Sequence, residues 1–368
     1  MNSLAATLAL VRPEILALAP YSSARKESKG GRVWLDANEN PQTPHASAPL
    51  LNRYPDPQPP ELIARLAGLY GAAPESILVT RGSDEGIDLL VRAFCRAGQD
   101  AILITPPTYG MYVVAAGIQG AAVRTAPLVA EKDFAVDPAA VLAAFPVAEN
   151  VSFSPPTAPA GAVKLVFLCS PNNPTGQNLA RADVLRLVDA LAGRAVVVVD
   201  EAYAEFSPSE SLVTALPSRP NLVVLRTLSK AFGLAGARVG VTLAAPGLIA
   251  VLQKIIAPYP IPTPVVQAAL AALTPEAIAA ARRSAADLVS GRQRLAAALQ
   301  RLPYVQKIWP SDANFVLVSV TDSARLMTLC RAAGLIIRDR SKDVPNTVRI
   351  TIGSPAELDF ALEVLARG

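Results

Sequence analysis

Histidine is almost missing from this sequence: among 368 residues only His45 carries an imidazole, and it sits between Pro44 and Ala46 in a proline-broken stretch. Hydrolases built on a Ser-His or Cys-His pair need a histidine base, and zinc sites usually draw on several ligands, so both classes are disfavoured. Proton transfers then fall to Lys, Tyr, Asp or Glu, or to a cofactor. Cysteine is scarce as well. Cys95, Cys169 and Cys330 are odd in number, far apart and set among apolar residues. That pattern excludes a disulfide framework and a CxxC metal pair, and points to buried free thiols in a reducing cytoplasm. Charged residues make up 17% with a net charge of +4 and no dense Lys/Arg cluster, so no nucleic-acid partner is expected, although an anionic small substrate fits. No stretch approaches the roughly 18 apolar residues of a membrane span. The apolar run at 4–18 is broken by Arg12, Pro13 and Glu14 and has no basic leader, so it does not read as a signal peptide. A soluble cytoplasmic protein is expected.

What is present is apolar residue in quantity, 51% of the chain, enough to exclude general disorder. The length predicts one large and one smaller domain. Helical spacing of Leu62, Ile63, Leu66 and Leu69 predicts a helix over 61–70, and further helices are expected at 84–95, 109–116, 138–145 and 181–191. Between them lie short apolar strands at 77–80, 101–105, 121–125, 165–169, 195–199 and 222–225. Ser83 and Asp84 are candidate caps for the helix at 84–95. Alternation of this kind predicts an α/β fold with a mostly parallel sheet covered on both faces. Residues 147–161, with three prolines and no periodicity, read as a surface loop. The proline-rich PYPIPTP at 258–264 marks a domain crossing. Beyond it a long helix at 275–302, a strand at 314–320, a helix at 323–333 and strands near Leu335 and Val348 predict a smaller α+β domain. The expected division is 41–257 for the large domain, and 1–40 with 258–368 for the small domain and an N-terminal arm.

Three consecutive strands end in different polar groups. SPNNPTG follows 165–169, Asp200 with Tyr203 follows 195–199, and Thr227, Ser229 and Lys230 follow 222–225. In such sheets the carboxyl ends of the strands share one crevice. Each group has an ordinary explanation on its own: a turn, a helix cap, an exposed strand-end lysine. As an ordered set they match pyridoxal phosphate. A lysine bonds the aldehyde, a carboxylate keeps the pyridine nitrogen protonated, and amide and phenol donors suit the phenolate oxygen. Arg81-Gly-Ser-Asp opening a helix offers backbone N–H groups to the phosphate, Thr227, Ser229 and Arg238 add polar contacts, and Tyr109 can stack on the ring.

The chain resembles the fold-type I pyridoxal-phosphate aminotransferases, and among them the histidinol-phosphate aminotransferase family. The segments LDANENP, RYPDP, RGSDEGIDLL, PPTYGMY, SPNNPTGQ, VVVDEAYAEF, TLSKAFGLAGARVG and RDR…VRITIG carry the likeness almost end to end. The resemblance implies that Lys230 holds the cofactor and shuttles the substrate α-proton. Asp200 would pair with the ring nitrogen, and Asn173 and Tyr203 with its phenolate oxygen. Ser83, Asp84, Thr227, Ser229 and Arg238 would hold its phosphate. Tyr54 would reach that phosphate from the neighbouring subunit of a homodimer. Arg349 resembles the arginine that grips the α-carboxylate of glutamate. Arg338, with Tyr21 and Asn38, resembles the set for the substrate phosphate or the distal carboxylate of glutamate. Two departures stand out: the long segment 147–161, and Pro262 where the family has a serine. The implied reaction converts L-histidinol phosphate and 2-oxoglutarate to imidazole-acetol phosphate and L-glutamate. The alternatives are an aromatic-amino-acid aminotransferase, a threonine-phosphate decarboxylase, or a ligand-sensing domain without activity.

Overall fold

The computed structural model describes residues 3–20, 35–42, 51–145 and 161–368. Tyr21, His45 and the segment 147–160 therefore lie outside the described residues. The larger sheet has seven strands: β1 (Ile77–Arg81), β2 (Asp100–Ile104), β3 (Ala122–Thr125), β4 (Ala162–Cys169), β5 (Val196–Asp200), β6 (Leu222–Thr227) and β7 (Val239–Ala244). Their spatial order is β1-β7-β6-β5-β4-β2-β3. Only β7 runs against its neighbours; β6, β5, β4, β2 and β3 pair in parallel.

The apolar runs are continuous because both faces of the sheet are covered. On β5, Val197 and Val199 enter one apolar cluster, while Val196 and Val198 enter the other. On β6, Leu222 and Val224 take one side, and Val223 and Leu225 the other. Each such side chain contributes about 1.5–3 kcal/mol on full burial. The helix Gly82–Phe94 packs closely on this sheet at Gly86, where a Cβ would lie 2.5 Å from Thr242 Oγ1 and 3.2 Å from Leu225. Glycine there lets the helix sit deep enough for its first turn to reach the strand ends.

A second sheet of β8 (Val305–Ile308), β9 (Phe315–Val320), β10 (Arg338–Asp339) and β11 (Thr347–Thr351) is antiparallel throughout, in the order β10-β11-β9-β8. The helices Pro275–Leu299, Ser323–Ala332 and Pro355–Leu365 share an apolar cluster with it. The two sheets meet at a small cluster in which Tyr203 packs edge-on against Phe315, with ring centroids 5.3 Å apart.

Several expectations need correcting. The helix expected at 84–95 starts at Gly82, its N-cap is Arg81, and no side chain caps it there, so Ser83 and Asp84 lie in its first turn. Glu85 instead reaches back to accept the Arg81 backbone N–H at 2.6 Å. Strand β7 and the helices Pro246–Ile255 and Thr263–Ala272 had no expected counterpart. Strand β7 was hidden because its start, Val239-Gly240, belongs to the polar motif that precedes it. Pro262 is the N-cap of Thr263–Ala272 and makes no capping hydrogen bond, as its residue type dictates, where a serine would cap. Among the described residues no single helix is long and apolar enough to cross a membrane.

Behind the strand ends, Arg226 on β6 bridges Glu201 at 2.8 Å and Glu205 at 2.7 Å, with its guanidinium 4.8 Å from the centre of the Tyr70 ring. This buried network ties the carboxyl end of β5 to that of β6. Replacing Arg226 by Met leaves two buried carboxylates without their cation, so Arg226→Met should lose about 3–5 kcal/mol of stability. A denaturant midpoint that does not move would show that the network carries no such weight.

Candidate active site

The carboxyl ends of β4, β5 and β6 and the first turn of Gly82–Phe94 open into one crevice of about 660 Å³. The structure brings Ser83, Asp84, Tyr109, Asn173, Asp200, Tyr203, Thr227, Ser229, Lys230, Arg238, Arg338 and Arg349 to its lining. Tyr54 and Asn38 are elsewhere in the same chain. Both line a separate pocket beside Pro262, where Tyr54 stacks on Tyr259 with centroids 4.4 Å apart.

Lys230 follows β6, and its side chain is open to the crevice, with Nζ 5.5 Å from the centre of the Tyr203 ring. Burial in the surrounding protein pushes its amine below the ordinary lysine value. Arg349 and Arg238 add to the shift, while Asp200 and Asp84 oppose it. Asp200, the last residue of β5, is buried. One of its oxygens accepts from the Tyr112 hydroxyl at 2.9 Å and the other from the Ala202 N–H at 3.2 Å. Among the described residues it has no ion-pair partner. Burial pushes its carboxyl up to about 6, and the two hydrogen bonds only partly restrain the shift.

Tyr203 and Asn173 lie together, the Asn173 amide donating to the Tyr203 hydroxyl at 3.3 Å. Burial pushes the Tyr203 phenol well above its ordinary value, so it stays protonated and available as a donor. Asn173 also accepts from Arg349 of β11, a link between the two sheets across the crevice. Arg349 alternates with buried Val348 and Ile350, which enter the small-sheet core and turn the arginine outward, as the sequence pattern predicts.

The other end of the crevice is an anion cradle. The Thr227 and Ser229 hydroxyls lie 2.9 Å apart, and Arg238 reaches Ser229 Oγ at 3.3 Å. Asp84 accepts from Tyr109 at 3.0 Å and pairs with Arg238 at 3.1 Å. Its carboxylate thus orients two neighbours, and what it offers an anion is its backbone N–H. Two glycines make the cradle possible. A Cβ on Gly82, at φ +73°, would lie 2.5 Å from Arg238 Nη2, and one on Gly240 would lie 2.1 Å from the Gly82 carbonyl carbon.

Beyond small and apolar lining residues, two polar ones that line or contact the site were not read from the sequence. Tyr112, buried and stacked on Phe167, holds Asp200. Its signal was the spacing Tyr109 to Tyr112 in the helix expected at 109–116, although the helix runs Met111–Gln119 and Tyr109 precedes it. Arg340 lines the crevice beside Arg338, and its signal was the two-residue spacing in RDR, one face of a strand.

The donor set suits pyridoxal phosphate. A buried carboxylate lacks a cation where a pyridinium would supply one, an uncapped helix start with two hydroxyls and an arginine suits a phosphate dianion, and an amine of lowered proton affinity lies between them.

Comparison with known proteins agrees. Residues 26–365 match the family described as aminotransferase class I and II. A protein named histidinol-phosphate aminotransferase 2 from Mannheimia succiniciproducens is 45% identical over 361 residues, covering 97% of this chain and 98% of that protein. A histidinol-phosphate aminotransferase from Stenotrophomonas maltophilia is 46% identical over 363 residues, covering 98% and 96%. Among solved structures, histidinol-phosphate aminotransferase from Sinorhizobium meliloti in complex with pyridoxal-5'-phosphate superposes with a TM-score of 0.73 at 27% identity, covering 86% of this chain and 82% of that one.

The raised Asp200 carboxyl has a consequence for stability. Its folded value near 6 exceeds the ordinary 3.8, so the cofactor-free fold loses stability as pH rises through that window. Asp200→Asn removes the cost. The cofactor-free variant should therefore exceed the cofactor-free parent by about 2–3 kcal/mol above pH 7 and match it below pH 4. Denaturant titrations at both pH values check this, and a gap that does not change with pH would refute it.

Proposed function

This chain belongs to the aminotransferase class I and II family, and we propose that it transfers the amine of L-histidinol phosphate to 2-oxoglutarate, and the reverse, in two half-reactions at the Lys230 crevice. Pyridoxal 5'-phosphate is its cofactor. When bound, that group supplies an aldehyde for the substrate amine and a protonated ring that takes up the electron pair of a broken Cα–H bond. The observation that carries the reading is the convergence of Lys230, Asp200 and the Arg238 cradle with an arginine-lined wall in a single crevice.

The residues divide the work as follows. Asp200 holds the proton on the ring nitrogen, aided by Tyr112. Asn173 and Tyr203 donate to the phenolate oxygen, and Tyr109 covers the ring. Backbone N–H groups of Ser83 and Asp84, with Thr227, Ser229 and Arg238, bind the cofactor phosphate. Lys230 Nζ would move the proton between the substrate α-carbon and C4′ of the cofactor, a task for which its lowered proton affinity suits it. Arg349 and Arg338 bind the anionic groups of the two substrates, with Tyr21 and Asn38 assisting.

The active unit is a homodimer in which Tyr54, and Asn38 beside it, serve the neighbouring crevice. This is supported by their place in a pocket separate from their own crevice and by the exposed Val113 and Ile118 on the helix Met111–Gln119. The proposed division is a large domain at 41–257 and a small one at 1–40 and 258–368, supported by the second sheet lying wholly within 305–351. The helices Leu4–Leu8, Pro13–Ala17 and Thr263–Ala272 nevertheless pack on the clusters of the larger sheet. The enzyme works in the cytoplasm, where its buried free cysteines stay reduced.

Single-turnover mixing tests the reading. The yellow holoenzyme should lose its lysine-bound absorbance faster with histidinol phosphate than with phenylalanine or threonine phosphate. Faster conversion by phenylalanine overturns the substrate assignment. Lys230→Ala should abolish the proton transfer, and a variant that still cycles between glutamate and 2-oxoglutarate overturns the role of the lysine.

A further inference from the structure

Three arginines share one wall of the crevice. Strands β10 and β11 run antiparallel with Arg338 directly across from Arg349. The pairing continues past β10, because the Arg340 N–H donates to the Thr347 carbonyl at 2.9 Å. In extended chain, residues two apart point to the same face, and Arg338, Arg340 and Arg349 all line the crevice. Like charges placed opposite each other on paired strands repel, so this wall is built to face an anion.

The protein's own anions fall short of balancing it. Asp343 lies 3.0 Å from Arg340 Nε. Asp339 is engaged by the backbone N–H and the hydroxyl of Ser341. Arg349 donates to Asn173, which is neutral. Among the described residues neither Arg338 nor Arg349 forms an ion pair, and the Nε–H group of Arg349 is buried without a hydrogen-bond acceptor. Two carboxylates, Asp339 and Asp343, against three guanidinium groups leave one positive charge uncompensated.

Glutamate divides about two negative charges between carboxylates at its two ends, whereas a phosphate monoester concentrates close to two in one group at neutral pH. The same crevice must accept both in a two-step transamination. We propose that Arg340 is a specificity-determining residue: its guanidinium, held in place by Asp343, contacts the phosphate of the phosphorylated amine and makes the crevice favour that dianion over the carboxylates of glutamate. This rests on the transamination proposed above. Arg338 and Arg349 serve both substrates, and Arg340, positioned by Asp343, adds N–H donors that only the concentrated charge and three oxygens of a phosphate use.

The test is Arg340→Gln holoenzyme, compared with the parent in the two half-reactions separately. The kcat/KM for histidinol phosphate should fall about tenfold or more, through KM, and the glutamate half-reaction should change less than about threefold. Inorganic phosphate, competing against glutamate, should inhibit the variant about tenfold more weakly. Arg340→Lys, which keeps the charge but loses the planar fork, should recover part of each loss. Equal losses in both half-reactions would mark a merely structural residue, and no loss in either would remove Arg340 from recognition; both outcomes overturn the proposal. The phosphate competition needs only glutamate turnover. If the parent enzyme itself prefers another amine, the proposed substrate fails while the assignment of Arg340 is still decided.

Discussion

A carboxylate that forms no ion pair among the described residues ends the central strand of the larger sheet, and much of the architecture exists to keep it there. Asp200 is buried among apolar strands, held by one hydroxyl and one backbone N–H. Removing an ionised carboxylate from water costs several kcal/mol unless it is paired. The protein supplies the surroundings that make the arrangement tolerable. Tyr112 is fixed by stacking on Phe167, and the Arg226–Glu201–Glu205 network locks the two strand ends from behind. The missing positive charge is the one a protonated pyridine ring brings, which makes cofactor binding and the electrostatics of the sheet a single problem.

The crevice is organised around charges that need a counterpart from outside. At one end an uncapped helix start, two hydroxyls and Arg238 present donors and positive charge. At the other, the arginines of the small sheet outnumber their carboxylates. Between them Lys230 has its amine made less basic by burial and by neighbouring guanidinium groups. Preorganised charge of this kind acts without reorganisation when the ligand arrives. The Arg349–Asn173 contact gives the substrate wall a physical connection to the cofactor floor.

Much of this was legible in the sequence because the relevant rules are local. Alternating short apolar runs and helical stripes gave β2, β4, β5 and β6 close to their observed limits, and the residues after those strands are the ones that line the crevice. Arg349 could be read as turned away from the core because Val348 and Ile350 flank it. Strand β7 was not legible, since its start is shared with a polar motif and its antiparallel pairing depends on partners far along the chain. The start of the helix Gly82–Phe94 was misplaced because Glu85, not an N-cap side chain, satisfies the Arg81 N–H.

By itself the sequence determined which chemistry is possible: one lysine, one strand-end aspartate and an anion cradle, in an order that a parallel sheet gathers at one edge. It also determined the family, through motifs spread over nearly the whole chain. Only the tertiary structure decided which groups meet. Tyr112 with Asp200, Asp84 with Tyr109 and Arg238, and Arg338 opposite Arg349 are contacts between positions 11 to 154 residues apart. The reason is physical. Residue type fixes charge and hydrogen-bonding capacity locally, but the burial and neighbours that turn those into altered proton affinities and unbalanced charge exist only once distant segments are packed together.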